Sequence, residues 1–373
     1  MTPVSVWSSS SPAAPAANAS AAARSACSAP AARSRMRTKL RALLLVLVAS
    51  FTSGCYLAHV ARGQLDLLWA REPIERLLSD PETPSKLRDR LDLVLRTRAF
   101  AADLGLSVDD RYSEYAAWPG DRVVTTIVAT RAGEVEPAGF WFPIVGRVPY
   151  KGYFDPERAA REAERLRARG MDVCVSNVRA YSTLGWFADP VTGPMLRQEP
   201  GALVETIVHE LVHATVYVPG EADFNEGVAS FVGEEARVRF YADDQGPEAA
   251  ARERRRVLAS RQYRAELERA RREVEDLYAT EPPGPAREAR RADIEVRARE
   301  RISGLSLGTD ARALAEAARL NDACLGLAAT YSAHTDRYRA ALAAQREDLA
   351  AFIARVLAAA EQSDPTRALL SPR

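Results

Sequence analysis

The sequence predicts a predominantly helical α+β fold, with a small β-sheet ahead of a helix carrying His-Glu-x-x-His and a projecting charged helical hairpin behind it. Three observations carry that expectation. Apolar residues recur every three to four positions over most of the chain after Gln64, as amphipathic helices require. The middle of the chain switches to β-branched and aromatic runs, 123–129 and 140–145, separated by Gly133 and Pro137-Ala138-Gly139, which reads as a strand pair or hairpin. From Gly246 to Arg301 the chain is dense in Arg, Glu and Ala and is broken once, at Glu281-Pro282-Pro283-Gly284-Pro285.

Residues 1–35 are Ala, Ser, Pro and Arg with almost no bulky apolar side chains, so they cannot bury enough surface to offset ordering, and they read as disordered or as an upstream start wrongly chosen. Residues 36–55 have the shape of a secretory signal. Arg37, Lys39 and Arg41 precede an apolar run, 42–49, that is too short to span a bilayer, and Thr52-Ser53-Gly54-Cys55 closes it with small residues. That ending resembles a bacterial lipobox, in which Cys55 is acylated and becomes the first mature residue; Thr52 departs from the usual Leu or Val. This reading sets the protein on the periplasmic side of a bacterial cell envelope, lipid-anchored. An uncleaved anchor or an ordinary export signal is the alternative.

A little over 300 residues follow the leader, enough for one large or two modest domains. Residues 56–105 read as two helices interrupted at Asp80-Pro81-Glu82-Thr83-Pro84-Ser85, with Ser85 as the second N-cap. Residues 106–243 hold the strands, a charged helix from Glu157 to Arg169 with Ala159, Ala163 and Leu166 inward, a strand from Asp172 to Val178, and the histidine helix. Residues 244–305 form the charged hairpin. Its mixed-sign charge reads as a solvated face with i,i+4 pairs, the alternative being a lid or a protein-partner surface over 246–301. Residues 306–361 supply helices that complete the core, and the tail from Gln362 frays. Cys174 and Cys324 are the cysteines of the folded part; they lack zinc-type spacing and are either paired in an oxidising compartment or isolated buried thiols. Lys and Arg total 51 against 50 Asp and Glu, a net charge of +1 that makes no electrostatic case for nucleic acid.

The chemistry is concentrated in Val208-His209-Glu210-Leu211-Val212-His213 and Asp223-Phe224-Asn225-Glu226-Gly227. On a helix His209 and His213 leave the same face one turn apart and can reach one metal ion, Zn2+ by the preference for such ligands, while Glu210 points beside them toward a metal-bound water. A catalytic zinc takes a third protein ligand and keeps one open position. Glu226 is the candidate, thirteen positions after His213, past the turn signal Pro219-Gly220 and at the start of a second apolar-periodic stretch. The alternative is a buried amphipathic helix with two satisfied histidines. Asn225-Glu226-Gly227 also resembles the Asn-Glu that carries the glutamate ligand in gluzincins. That resemblance implies a supporting carboxylate four residues on, where this chain has Ser230, with Glu234 as a substitute. It also implies a Tyr or His donor to the oxyanion, for which Tyr331 is first, ahead of Tyr338 and His334. The segment from Ala180 to Pro190, rich in Ser, Thr, Gly and aromatics, reads either as a substrate-binding sheet edge or as an ordinary buried strand and turn.

Longer strings extend the resemblance over most of the mature chain. Cys55 with Gly63-Gln64-Leu65, Val148-Pro149-Tyr150-Lys151-Gly152-Tyr153-Phe154-Asp155, Ala180-Tyr181-Ser182-Thr183-Leu184-Gly185-Trp186-Phe187 with Asp189-Pro190, the His-Glu-x-x-His run and Phe224-Asn225-Glu226 together resemble the bacterial family known as putative zinc aminopeptidases, many with lipoprotein signals. The resemblance implies a zinc metallopeptidase acting on a peptide substrate, with Glu210 as general base. An aminopeptidase must also hold a free α-ammonium, for which Asp189, Asp223 and Glu234 are eligible. An envelope endopeptidase and a non-catalytic lipoprotein scaffold that binds a partner through the charged hairpin are the alternatives.

Overall fold

The computed structural model describes residues 56, 58–142, 146–179, 189–306, 311–328 and 334–371. The order along the chain is a helix over 58–69 (α1), β1 (Arg71–Pro73), α2 (Ile74–Ser79), α3 (Ser85–Asp103), β2 (Glu114–Ala116), β3 (Val124–Thr130), β4 (Phe140–Phe142), β5 (Gly146–Val148), β6 (Tyr150–Tyr153), α4 (Pro156–Arg167), β7 (Asp172–Val178), β8 (Val191–Thr192), α5 (Gly193–Leu196), α6 (Pro200–Thr215), α7 (Ala222–Gln245), α8 (Pro247–Thr280), α9 (Pro285–Ser303), α10 (Ala311–Ala317), α11 (Asp322–Ala328), α12 (Thr335–Ala344), α13 (Leu349–Ala360) and α14 (Pro365–Leu370). The fold is a predominantly helical α+β arrangement.

The main core is built on α6. Leu203, Val204, Ile207, Val208, Leu211 and Val212 occupy a broad stripe that a 3.6-residue period keeps on one side, and all six are buried. Residues from α3, α7 and α13, among them Leu91, Val94, Phe224, Phe231 and Phe352, close over that stripe. Each such side chain contributes roughly 1.5–3 kcal/mol of burial, so α6 is held far more firmly by its inner face than by helix propensity. The outer face is left to Glu205, His209, Glu210 and His213.

The sheets differ from the expected hairpin. Both edges of β3 are taken, by β6 and by β7, each antiparallel to it, so the run 140–145 has no edge of β3 to join. β4 pairs with β5 instead. The end of β3 meets the segment between the two runs through an isolated bridge from Thr130 to Pro137 and a bond from the Ala138 amide to the Ala129 carbonyl at 2.9 Å. α4 and α11 pack on the three-stranded sheet, and consecutive Ile127 and Val128 of β3 are both buried, as a strand covered on two faces must be. A second sheet, β1-β2-β8, runs parallel between β2 and β8 and delivers the chain through α5 into α6.

The remaining departures have local causes. The segment expected to hold two helices holds three, with β1 ahead of a short α2, because Arg71–Pro73 finds β2 as a partner. Pro84, not Ser85, occupies the N-cap position of α3. Within the helices expected over 306–361, α11 and α12 are separate elements, and His334 before α12 has a left-handed backbone. The tail does not fray throughout. The Asp364 side chain caps α14, and Leu369 is fully buried against the main core.

The charged hairpin is α8 and α9, and both of its halves are packed. Val274, Leu277, Ile294, Ala298 and Ile302 of the two helices share a core with Ala315, Leu320 and Leu325. Along the first half of α8, arginines reach buried carboxylates of α7. Arg254 makes two bonds to Glu235 at 2.6 and 2.7 Å, Arg261 binds Glu234 at 2.6 Å and Glu235 at 2.9 Å, and Arg264 also binds Glu234. The mixed charge of α8 is therefore, in this half, a set of internal ion pairs.

Cys174 of β7 and Cys324 of α11 form a disulfide, which settles the open question of their pairing. It ties the sheet to the helix packed on it, beside Asp172, whose carboxylate accepts from Asn321 Nδ2 at 2.8 Å and from the Ala323 amide at 3.2 Å. The bridge closes a loop of 150 residues, for which loop-closure entropy gives about 5 kcal/mol of stabilisation as an upper figure. Cys324→Ser should lower the melting temperature to that of wild type held in reductant. Equal melting of oxidised and reduced wild type would contradict the bridge.

Candidate metal centre

The histidine helix begins where Pro200 can begin a helix, at its first position, with Glu199 accepting from the Gly201 and Ala202 amides at 3.0 and 3.3 Å. That carboxylate also anchors Arg237, which binds Glu199, Glu205 and Glu253. Gly201 is required there: a Cβ would lie 2.4 Å from Glu253 Oε2 and 2.6 Å from Arg237 Nε.

α7 returns along α6 after a tight turn. Gly220 takes the left-handed conformation of that turn, at φ +87°. Asn225 then clasps it: its Oδ1 accepts from the Val218 amide at 2.9 Å and its Nδ2 donates to the Val218 carbonyl at 2.8 Å. About two turns further along α7, Gly233 lets the helices touch, since a Cβ there would be 2.9 Å from the Glu205 carbonyl oxygen and 3.5 Å from His209 Cβ. Asn225 and Gly233 together fix where the intervening Glu226 arrives.

It arrives at the two imidazoles. His209 Nε2 and His213 Nε2 are 3.0 Å apart, Glu226 Oε2 is 3.5 Å from the first and Glu226 Oε1 is 3.5 Å from the second. Two ligands on a tetrahedral zinc at 2.0–2.1 Å are about 3.3 Å apart, so the donor set has the separations that such an ion requires. Glu226 Oε2 and His213 Nδ1 are buried and have no hydrogen-bond partner among the described residues. A buried carboxylate oxygen left without a donor is what a cation would satisfy.

A family model described as "Putative aminopeptidase" matches residues 55–370. The chain belongs to that family. The match runs from Cys55 through the last residue of α14 and includes the whole constellation above. Compared with curated proteins and with solved structures, the chain has no match. Membership in that family supports a peptidase role.

In this member of the aminopeptidase family, charge is arranged asymmetrically around the histidines. Burial disfavours the Glu226 carboxylate, but the two adjacent imidazoles outweigh it and hold its pKa down to about 2. Burial likewise opposes a proton on His209, and the carboxylates of Glu226, Glu210 and Glu205 overcome it, so that pKa is raised. Glu210 goes the other way from Glu226. Burial raises its pKa first, Glu226 and Asp189 raise it further, and the histidines offset only part of this. Two neighbouring carboxyls are thus driven apart, one kept ionised and one made a better proton acceptor.

The other expected site residues fare differently. Tyr331, Cys55 and the stretch 180–188 of the expected substrate edge lie outside the described residues. Tyr338 is buried in the core, its ring 5.7 Å from Phe231, with its pKa pushed up to about 12 by burial and by Asp223; His334 stands edge-on to it at 6.3 Å. Glu234 supports neither histidine and cannot serve an α-ammonium, because Arg261 and Arg264 already hold it. Ser230 does not reach His213 Nδ1 either. Of the three carboxylates eligible for an α-ammonium, Asp223 is exposed near Tyr338, whereas Asp189 is buried with its charge felt by Glu210.

Two tyrosines beside the site were not assigned from sequence. Tyr112 is buried in a left-handed backbone at φ +56°, its amide donates to the Asp189 carbonyl at 2.8 Å, and burial with the charges of Glu210 and Asp189 raises its pKa well above normal. Tyr150, at the start of β6, is half-exposed, and its raised pKa comes from burial of the phenol end, then from Glu226 and Glu210. The available signal for Tyr150 was its place in the Val148–Asp155 string.

Asn225→Ala leaves the Val218 amide unpaired and its carbonyl with the Glu221 amide alone at 3.2 Å, which costs about 1–3 kcal/mol. Denaturant unfolding should show that loss, and chelator competition should show weaker metal binding than wild type. Unchanged stability and unchanged metal affinity would contradict the clasp.

Proposed function

We propose that this protein is a zinc-dependent aminopeptidase of the bacterial cell envelope, held on the periplasmic side by an acylated Cys55. The observation that carries the reading is the convergence of His209, His213 and Glu226 donor atoms with the raised carboxyl of Glu210 beside them. The disulfide between β7 and α11 supports an oxidising compartment. No helix among the described residues is long and apolar enough to cross a membrane.

His209, His213 and Glu226 would hold the ion. Zinc bound by such a set acts as a Lewis acid on the scissile carbonyl and lowers the pKa of a bound water toward neutrality. Glu210 takes a proton from the attacking water as the carbon–oxygen bond forms. It then delivers that proton to the departing amine as the carbon–nitrogen bond breaks, which returns Glu210 to its starting state. Its raised pKa suits both transfers, and Glu226, held as an anion, does not compete for the proton. The carbonyl oxygen gains negative charge in the transition state, and Tyr150 is the described phenol fitted to donate a hydrogen bond to it, since it lies in the field of both Glu226 and Glu210. Asp189, whose charge is felt by Glu210, is the carboxylate proposed to face the α-ammonium of the substrate.

Glu210→Gln should lower hydrolysis of an aminoacyl-peptide amide by about 10²–10⁴-fold while the protein remains folded and metal-loaded. Acetylating the substrate amino terminus should abolish turnover by the wild type. Full turnover of the acetylated peptide would overturn the exopeptidase reading in favour of an endopeptidase, and full activity of Glu210→Gln would overturn the mechanism.

A further inference from the structure

α1 presents an apolar stripe outward. Ala58, Ala61, Leu65 and Trp69 recur at intervals of three and four residues, which sets them along one side of the helix, and all four are exposed, Leu65 at 45% and Trp69 at 77%. The opposite side is committed to the body. Gly63 and Leu67 are buried, and the fit at Gly63 is so close that a Cβ would lie 2.3 Å from the ring of Phe154. The helix therefore cannot roll to hide Leu65 and Trp69. The charges beside the stripe, Arg62 and Asp66, are one turn apart and 3.8 Å from each other, so they cancel. A tryptophan with most of its surface in water, on a helix with its other face fixed, lacks a partner among the described residues.

The chain ahead of this helix says what that partner is. Tyr56 adjoins Cys55, and the helix runs from residue 58, so no hydrophilic spacer separates the cysteine from the folded body. The run from Cys55 to Ala61 contains no Asp, Glu, Lys or Arg, and burial and the nearby Arg158 lower the pKa of its one histidine, His59, which keeps that imidazole neutral. Three residues of chain span at most about 11 Å, and α1 from Ala58 to Trp69 is about 16 Å long. An acylated Cys55 would thus bring the start of α1 to the lipid headgroups, and a helix lying flat from that point would carry Leu65 and Trp69 to the same depth.

We propose that the outer face of α1, through Leu65 and Trp69, lies in the phospholipid interface as a second membrane contact beside the acyl anchor. The inference rests on acylation of Cys55 and is independent of the peptidase chemistry. Tryptophan is favoured at headgroup level, and a flat amphipathic helix buries its apolar stripe there. Two contacts orient a body where a single anchor would leave it free to tumble.

The test uses the full mature protein, purified from membranes and reconstituted into phosphatidylethanolamine–phosphatidylglycerol vesicles with or without brominated acyl chains. Bromolipid should quench part of the wild-type tryptophan emission. That quenched component should vanish in Trp69→Phe and persist in Trp141→Phe, which removes another exposed tryptophan. Both positions are exposed, and circular dichroism checks that each variant is folded. Mass spectrometry of the amino-terminal peptide separates the two levels of the inference. Acyl chains on Cys55 with quenching unchanged in Trp69→Phe, or with no quenching in the wild type, would overturn the helix contact alone. A Cys55 without acyl chains would overturn the anchor and the inference with it.

Discussion

The constraint on which the rest depends is how closely α7 lies against α6. Glu226 meets the imidazoles only because no side chain at position 233 separates the helices at the Glu205 carbonyl and because Asn225 closes the turn onto Val218. The thirteen-residue interval between His213 and Glu226 leaves little slack for that return. A looser pair of helices would keep every residue of the motif and lose the donor geometry. The same approach accounts for the electrostatics, since it brings the ionised Glu226 within reach of both histidines and leaves Glu210 in a more desolvated place.

A buried ionic layer maintains that approach from behind. Arg237 joins the cap of α6 to α7 and to Glu253 of α8, and three arginines of α8 converge on Glu234 and Glu235. Replacing such pairs with apolar side chains would be thermodynamically neutral or favourable in many proteins, so their energetic contribution is not what distinguishes them. Their geometry is. Each arginine accepts only one register of α8 against α7, whereas an apolar seam tolerates sliding. The long charged hairpin thereby becomes part of the scaffold that sets the candidate centre.

Much of this was legible in the sequence, and the unreadable part has physical reasons. The spacing of His209 and His213 and the apolar stripe beneath them are properties of one helix, so periodicity reveals them. Glu226 was legible because a turn signal and a second apolar period bracket it. The role of α8 was not, because Arg and Glu at helical spacing look the same whether they face water or a buried carboxylate on another helix; Glu234 was accordingly expected near the histidines and is held by Arg261 and Arg264 instead. Strand pairing is also non-local. β3 takes β6 and β7, twenty or more residues away in sequence, in preference to the nearer run that β-propensity alone suggested. The pairing of Cys174 with Cys324 across 150 residues has the same character. α14 was missed although Asp364-Pro365 is a start signal, because a six-residue helix offers too few positions for a period to emerge.

A bound ion is the central requirement of the site, and the most direct measurement is metal content per chain by elemental analysis, on wild type beside Glu226→Ala. About one zinc per wild-type chain is expected, largely lost from a Glu226→Ala protein that remains folded. A folded wild type that takes up no metal when zinc is supplied, or a Glu226→Ala protein that binds zinc as tightly as wild type, would contradict it.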